Sequence, residues 1–509
     1  MGIVSHPYLS LPGARESRIC GHWIQGRWRN EGPTAPQLKS PYTGQPMAML
    51  HMASPALVDE AVKAAAAAQK EWGNRPIKDR TRVMFAFRDE LLKALPHTDA
   101  TKSFESGKTP AEAEAGVMKG IEVLEFALAL QNLDSGGRME VSRGVHCEYR
   151  RIPLGVVAGI TPFNFPAMVP MWMIPIALTL GNAFVWKPSD KTPMTSLLIA
   201  ECLKRAGLPD GVFTVLQGAR ETVESILDHP DIKAVGFVGS TPVAKAVYAR
   251  GTSHFKRVLA LGGAKNHIVL LPDADPEMTA QGITDSFTGC AGQRCMAASV
   301  LLAVEDDKGQ TERLIKKIIE KAATIVPGRP AAQGATMGAI ITASQVDFLK
   351  TAIDHAEKSG AKVLLDGRRF KMEGEQASGN WLAPTILDHV KPGSTAATDE
   401  LFGPVLSIVR CKDLSHALEI ERSGKYGNAT SVFTSSGPLA EEVVRQASSG
   451  MVGVNIGVPV PREPFSFGGI FESKFGSGDI TGEHSLDFWS NVKKVTVKWA
   501  PQRDATWMG

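Results

Sequence analysis

Cys295 lies in the run Phe287-Thr288-Gly289-Cys290-Ala291-Gly292-Gln293-Arg294-Cys295-Met296-Ala297. A cysteine beside an arginine, among small residues, has the ingredients of a nucleophile. The positive charge favours the thiolate, and the thiolate attacks carbonyls. The alternative for any single cysteine is burial without reactivity. Four further stretches carry groups suited to catalysis or nucleotide binding. Pro162-Phe163-Asn164-Phe165-Pro166 holds an amide in a loop stiffened by two prolines. Asn164 either aims that amide at a developing oxyanion or caps the following helix. Lys187-Pro188-Ser189-Asp190 places a lysine and an acid within reach of ribose hydroxyls, or else forms a solvated turn. Gly239-Ser240-Thr241, just before Pro242, presents backbone N–H groups at a helix start, which suits a phosphate. Asp399-Glu400-Leu401-Phe402-Gly403-Pro404 offers Glu400 to a second ribose and Phe402 as cover for an aromatic ring, or is an ordinary turn. The chain has no G-x-G-x-x-G fingerprint, and no C-x-x-C or H-E-x-x-H run, so no metal site is expected.

Positioning these groups requires a particular alternation of elements. Leu57 to Trp72, Asp79 to Leu95 and Ala111 to Leu130 show apolar residues at helical spacing; Lys119 and the glutamates at 122 and 125 fit the last helix's wet face. From about residue 150, short apolar runs alternate with helical stretches. Gly155 to Ile160, Ala183 to Lys187, Val212 to Leu216 and Ala234 to Val238 read as strands, with helices at Thr195 to Ala206 and Glu221 to Leu227. A second set follows. His267 to Leu271, Val300 to Val304, Val405 to Arg410, Ala429 to Phe433 and Val452 to Ile456 read as strands, with helices at Thr311 to Ile325 and Ser344 to Ser359. Such alternation predicts α/β architecture with two doubly wound, Rossmann-like parallel sheets, whose ligands lie beyond the carboxyl ends of the strands. Val492 to Trp499 alternates as a half-exposed strand, and 137–152 suits an antiparallel hairpin beside it, a small β unit for pairing with another subunit.

Bulk properties exclude several classes. A chain of 509 residues is too long for one core. A net charge of +3 argues against nucleic acid or an anionic membrane as partner. Val169 to Trp186 is the most apolar stretch, but its prolines and Lys187 fit a buried helix leading into a buried strand. Six cysteines without pairing rhythm predict free thiols in a reducing compartment: the cytoplasm, or the mitochondrial matrix in a eukaryotic source. The N-terminus lacks the apolar core of a secretory signal.

Together, and in this order, Pro-Phe-Asn, Lys-Pro-Ser, Gly-Ser-Thr, the cysteine and Glu-x-Phe-Gly-Pro resemble the aldehyde dehydrogenase superfamily, over residues from about 20 to about 500. The resemblance implies an NAD-binding domain (1–136 and 153–265), a catalytic domain (266–460) and oligomerisation strands (137–152 and 487–509), in a homodimer or homotetramer. It implies Cys295 as nucleophile and Asn164 as oxyanion donor. Thr161, Pro162, Phe163, Lys187, Ser189, Asp190, Gly239, Ser240, Glu400 and Phe402 fall on the cofactor side. The family usually has glutamate where Asp190 stands; an acid there disfavours a 2′-phosphate and so favours NAD.

Hydrolytic members carry a general-base glutamate in a Glu-Leu-Gly-Gly-Lys run. Here Ala260 or Leu261 takes that place, depending on alignment, and no acid occurs from 255 to 272. Water would lack its proton acceptor, whereas the thiol of coenzyme A ionises far more readily. The matching segments, including Gly263-Ala264-Lys265-Asn266-His267 and Pro464-Phe465-Ser466-Phe467, look like methylmalonate-semialdehyde dehydrogenase. That family oxidises malonate or methylmalonate semialdehyde, releases carbon dioxide and transfers the acyl group to coenzyme A. Arg294 suits the substrate's carboxylate. Lys119 stands where that family has an arginine, keeping the charge and losing the two-pronged grip. Pro461-Arg462-Glu463-Pro464 adds charges near the substrate entrance. The alternative is a hydrolytic enzyme releasing the free acid from succinate semialdehyde or a sulfonated aldehyde.

Overall fold

Strands made of apolar and small residues end up covered on both faces. The computed structural model describes residues 18–133, 136–329 and 334–499, with main chain only for 96–104. In it Val156–Ile160 and Ala183–Lys187 are buried along their full length. They sit inside an eight-stranded sheet whose five central strands run parallel: Arg257–Leu261, Ile232–Val238, Val156–Ile160, Ala183–Lys187 and Phe213–Val215. The chain winds outward from Val156–Ile160 in one direction, then returns to add Ile232–Val238 on the other side. A crevice therefore opens between those two strands at their carboxyl ends. The loops Pro162–Pro166 and Gly239–Ser240 leave from it.

The second sheet has seven strands in the order Lys362–Leu365, Thr385–Asp388, Val405–Cys411, Ala298–Val304, Asn266–Leu270, Ala429–Phe433 and Met451–Val454. All neighbours are parallel except the first pair. The chain passes from the first sheet to the second through the short turn 262–265. It comes back late: Lys474–Phe475 pairs with Arg257–Leu261 on the first sheet's edge.

The helices read from periodicity form with longer ends: Pro55–Asn74, Ile77–Ser106 and Pro110–Leu133. Val169 to Trp186 resolves into the buried helix Met168–Thr179 and the strand Ala183–Lys187. A third sheet joins Gly137–Ser142, Val145–Pro153 and Ser490–Lys498, antiparallel throughout, with Ser490 opposite Pro153 and Lys498 opposite Val145. Residues 18–50 contribute five strands of two to five residues, too short to show a period. The expected domain residues 1–17 and the tail 500–509 lie outside the described residues. Among the described residues no helix is long and apolar enough to cross a membrane, and no cluster of His, Cys, Asp or Glu is arranged to hold a metal ion.

Candidate active site

The segment that carries Cys295 is shaped by its small residues. The helix Pro276–Thr288 stops at Gly289, and then Cys290, Ala291 and Gly292 take φ of 52°, 53° and 70°. Consecutive left-handed residues are strained for side chains other than glycine, and such strain concentrates at functional loops. Gly292 has no choice: a Cβ there would fall 2.1 Å from the Gly403 carbonyl oxygen. Gln293 ties the loop down. Its Nε2 donates to the carbonyls of Cys290 and Ala339, both at 3.3 Å, and its Oε1 accepts from the Ile341 N–H at 3.0 Å. Cys295 follows, half-buried, with its carbonyl held by two asparagines. Asn266 Nδ2 and Asn428 Nδ2 each donate to it at 2.8 Å.

Asn164 reaches this loop from the first sheet. Its Nδ2 donates to the Gln293 carbonyl at 3.0 Å. The capping alternative is overturned: the N-cap of the next helix is Ala167, with no side-chain hydrogen bond. One amide proton anchors Asn164 on the residue two before Cys295. Cys295, Arg294, Lys119, Phe165, Trp172 and Phe467 all line one cavity of about 590 Å³.

Eight of the ten expected cofactor-side residues line a second cleft, of about 910 Å³: Thr161, Pro162, Phe163, Lys187, Ser189, Asp190, Gly239 and Ser240. Ser240 is the N-cap of Thr241–Ser253 and its side chain makes no capping bond, so the helix's first N–H groups and the hydroxyl both remain for a phosphate. Lys187 Nζ donates to the Gly218 carbonyl at 3.1 Å, and burial, opposed by Asp190, brings its pKa down to about 8. This donor set fits a dinucleotide. Glu400 and Phe402 stand off that cleft. Phe402 meets Phe163 edge-on at 5.9 Å. Glu400 lies on the turn between the sheets, its Oε1 accepting from the Ala264 N–H at 3.0 Å. A Cβ on Gly263 would sit 2.4 Å from its Oε2.

The model of the aldehyde dehydrogenase family matches residues 28–495. The chain belongs to the aldehyde dehydrogenase family. It is 39% identical over 486 residues to malonate-semialdehyde dehydrogenase 3 of Geobacillus kaustophilus, covering 95% of this chain and 99% of that one. The methylmalonate-semialdehyde dehydrogenase of Oceanimonas doudoroffii superposes with a TM-score of 0.93 at 38% identity, over 96% of this chain and 99% of that one. A provisionally named methylmalonate-semialdehyde dehydrogenase from Sinorhizobium meliloti, solved with NAD, gives 0.93 at 36% identity, with the same coverage.

The electrostatics of this aldehyde dehydrogenase correct one expectation. Arg294 does not hold Cys295 as a thiolate. Its guanidinium is engaged with other groups: Nε donates to Cys290 Sγ at 3.3 Å and Nη1 approaches the Asp285 carbonyl at 3.5 Å. Burial, reinforced by the charge of Glu400, pushes the Cys295 thiol up to about 12; Arg294 and Lys108 pull it down less. Burial also lifts Glu400 to about 7, and depresses Lys265 to about 7. Ala260 and Leu261 are both buried in the strand Arg257–Leu261, so no carboxylate springs from that place.

Lys119 is not a free cation on a wet face. Its Nζ is 2.8 Å from Glu122 Oε2 and 3.7 Å from Glu463 Oε2. Sequence reasoning also missed Asn266, Asn428 and Glu112. Glu112 Oε1 accepts from the Cys290 N–H at 2.5 Å and Oε2 from the Thr109 N–H at 3.0 Å. Thr109-x-x-Glu112 is a capping-box spacing, so that part was visible in the sequence.

Proposed function

We propose that the protein oxidises a short anionic semialdehyde of the malonate or methylmalonate type with NAD, through a Cys295 thioester, and passes the acyl group to coenzyme A. The observation that carries this is the apolar pair Ala260 and Leu261 where a water-activating carboxylate would stand, in a chain resembling malonate- and methylmalonate-semialdehyde dehydrogenases throughout its length.

Cys295 Sγ adds to the aldehyde carbon, and its proton goes to Glu400, the carboxylate whose charge it feels. The new oxyanion lies against the second amide proton of Asn164, a donor already fixed by its bond to Gln293. Ser240, Lys187 and Asp190 would hold the dinucleotide in the larger cleft, and its chemistry there would be to take up the hydride that leaves the former aldehyde carbon as the oxyanion collapses to the thioester. The thioester that remains on Cys295 is attacked by the thiol of coenzyme A. The new C–S bond forms as the bond to Cys295 breaks, and the cysteine recovers a proton. The bond between the substrate carboxylate and the neighbouring carbon breaks, carbon dioxide departs, and the electron pair left on that carbon takes a proton from water, giving acetyl- or propionyl-coenzyme A. Arg294 holds that carboxylate before it leaves.

A second reading is favoured by Glu400 itself. A buried carboxylate near neutrality beside the nucleophile can prime water instead, giving a hydrolytic enzyme. We also assign the Gly137–Ser142, Val145–Pro153 and Ser490–Lys498 sheet to subunit pairing, since Met139, Val141, Tyr149 and Val492 leave apolar surface exposed along it. Free cysteines throughout fit a reducing cytoplasm. The test is product identity. With NAD and malonate semialdehyde, acetyl-coenzyme A should form only when coenzyme A is added; free acid at full rate without it selects the second reading.

A further inference from the structure

The cavity that holds Cys295 carries an unusual charge arrangement. Lys119 and Arg294 are its cations, and Glu112 and Glu122 its lining carboxylates. Glu112 is spent on two main-chain N–H groups. Lys119 lies between Glu122, at 2.8 Å, and Glu463, at 3.7 Å; Arg462 reaches Glu122 only at 4.0 Å and is largely in solvent. The Glu463 side chain is 6% exposed, and its Oε2, the oxygen nearest Lys119, accepts no hydrogen bond among the described residues. A buried acceptor without a donor is costly, and native structures keep few of them. Arg294, by contrast, bonds to a sulfur and a main-chain carbonyl rather than to a carboxylate.

From this we infer that Glu463 sets the length of acidic substrate the enzyme accepts. Glu463 and Glu122 together outweigh the charge of Lys119 by one negative charge, leaving Arg294, next to Cys295, as the cation that grips a substrate carboxylate. A carboxylate close to the aldehyde carbon finds Arg294. One carried further along the chain is delivered toward Lys119, where Glu122 and, through space, the buried carboxylate of Glu463 repel it, the latter with little water to screen it. Glu463 is thus a specificity-determining residue that rejects longer dicarboxylic semialdehydes. The inference rests on the proposed acidic substrate.

The test compares malonate semialdehyde with succinate semialdehyde in the wild type, Glu463→Gln and Glu463→Ala, with a thermal melt to confirm folding. The wild type should favour the shorter aldehyde. Either variant should raise kcat/KM for succinate semialdehyde about tenfold, with kcat for malonate semialdehyde within about twofold of wild type. Adding Lys119→Met to Glu463→Gln should erase the gain. A second readout needs no turnover: glutarate should protect Cys295 from iodoacetamide better in Glu463→Gln than in wild type. An unchanged aldehyde preference, or unchanged protection, in folded variants overturns the inference. If the wild type oxidises neither acid aldehyde but does oxidise uncharged ones, the functional reading fails, while the protection experiment still judges the role of Glu463.

Discussion

The side-chain amide of Asn428 donates to the main-chain carbonyl of Cys295 at 2.8 Å, across 133 residues of sequence. Asn266 supplies a second donor to the same oxygen, also at 2.8 Å. Both asparagines stand where strands of the second sheet begin, so the nucleophile's peptide is fixed by the sheet rather than by its own loop. Removing one donor from a buried carbonyl costs about 1–3 kcal/mol. Asn428→Ala should therefore lower kcat by roughly tenfold to a hundredfold, with KM for NAD unchanged. Steady-state kinetics and the rate of Cys295 alkylation check this, beside a melt that shows the variant folded.

Asn164→Ala removes the proposed oxyanion donor and the link to Gln293 in one step. Losses for such donors run to about a hundredfold to a thousandfold in kcat. The NAD-binding cleft should be untouched, so binding of the dinucleotide, followed by fluorescence quenching, should match wild type.

Burial holds Cys295 in its neutral form. In the enzyme without ligands, the rate of alkylation by iodoacetamide should rise about tenfold per pH unit between about pH 7 and pH 10, with no plateau. A plateau near neutrality would mean that the thiol ionises easily, as Arg294 alone would have suggested.

That contrast marks the boundary of what the chain discloses. The two sheets were legible because parallel strands buried on both faces, such as Val156–Ile160, read as unbroken apolar runs between helical stretches. The order of Asn164, Cys295 and Glu400 was legible because each lies within three residues of a proline or glycine, in a short run of recognisable pattern. The partners of Arg294 were not, because three left-handed residues just before it fold the loop so that its Nε meets the sulfur of Cys290. Asn266 and Asn428 were not, because only strand pairing brings them to the same carbonyl. The partners of Lys119 were hidden similarly: Glu463 arrives from the returning segment that ends on the first sheet's edge.

Glu400 is lifted to about 7, so its base form is lost as pH falls through neutrality. The pH profile of kcat/KM should show an acid limb near 7 that flattens in Glu400→Gln. The folded state binds this proton more tightly than the unfolded chain, so Glu400 detracts most from stability above about pH 7. Glu400→Gln should melt higher there, and its gain should shrink toward acid pH. Differential scanning calorimetry at several pH values measures this.

The most direct measurement is a rapid-mixing experiment without coenzyme A. Enzyme, NAD and malonate semialdehyde should give a burst of one NADH per Cys295, after which production nearly stops. Mass spectrometry of the quenched protein should find the acyl group on the peptide containing Cys295, and adding coenzyme A should restart turnover. Steady NADH production at the full rate with no coenzyme A present, and no acyl group on Cys295, would contradict a thioester that waits for a thiol.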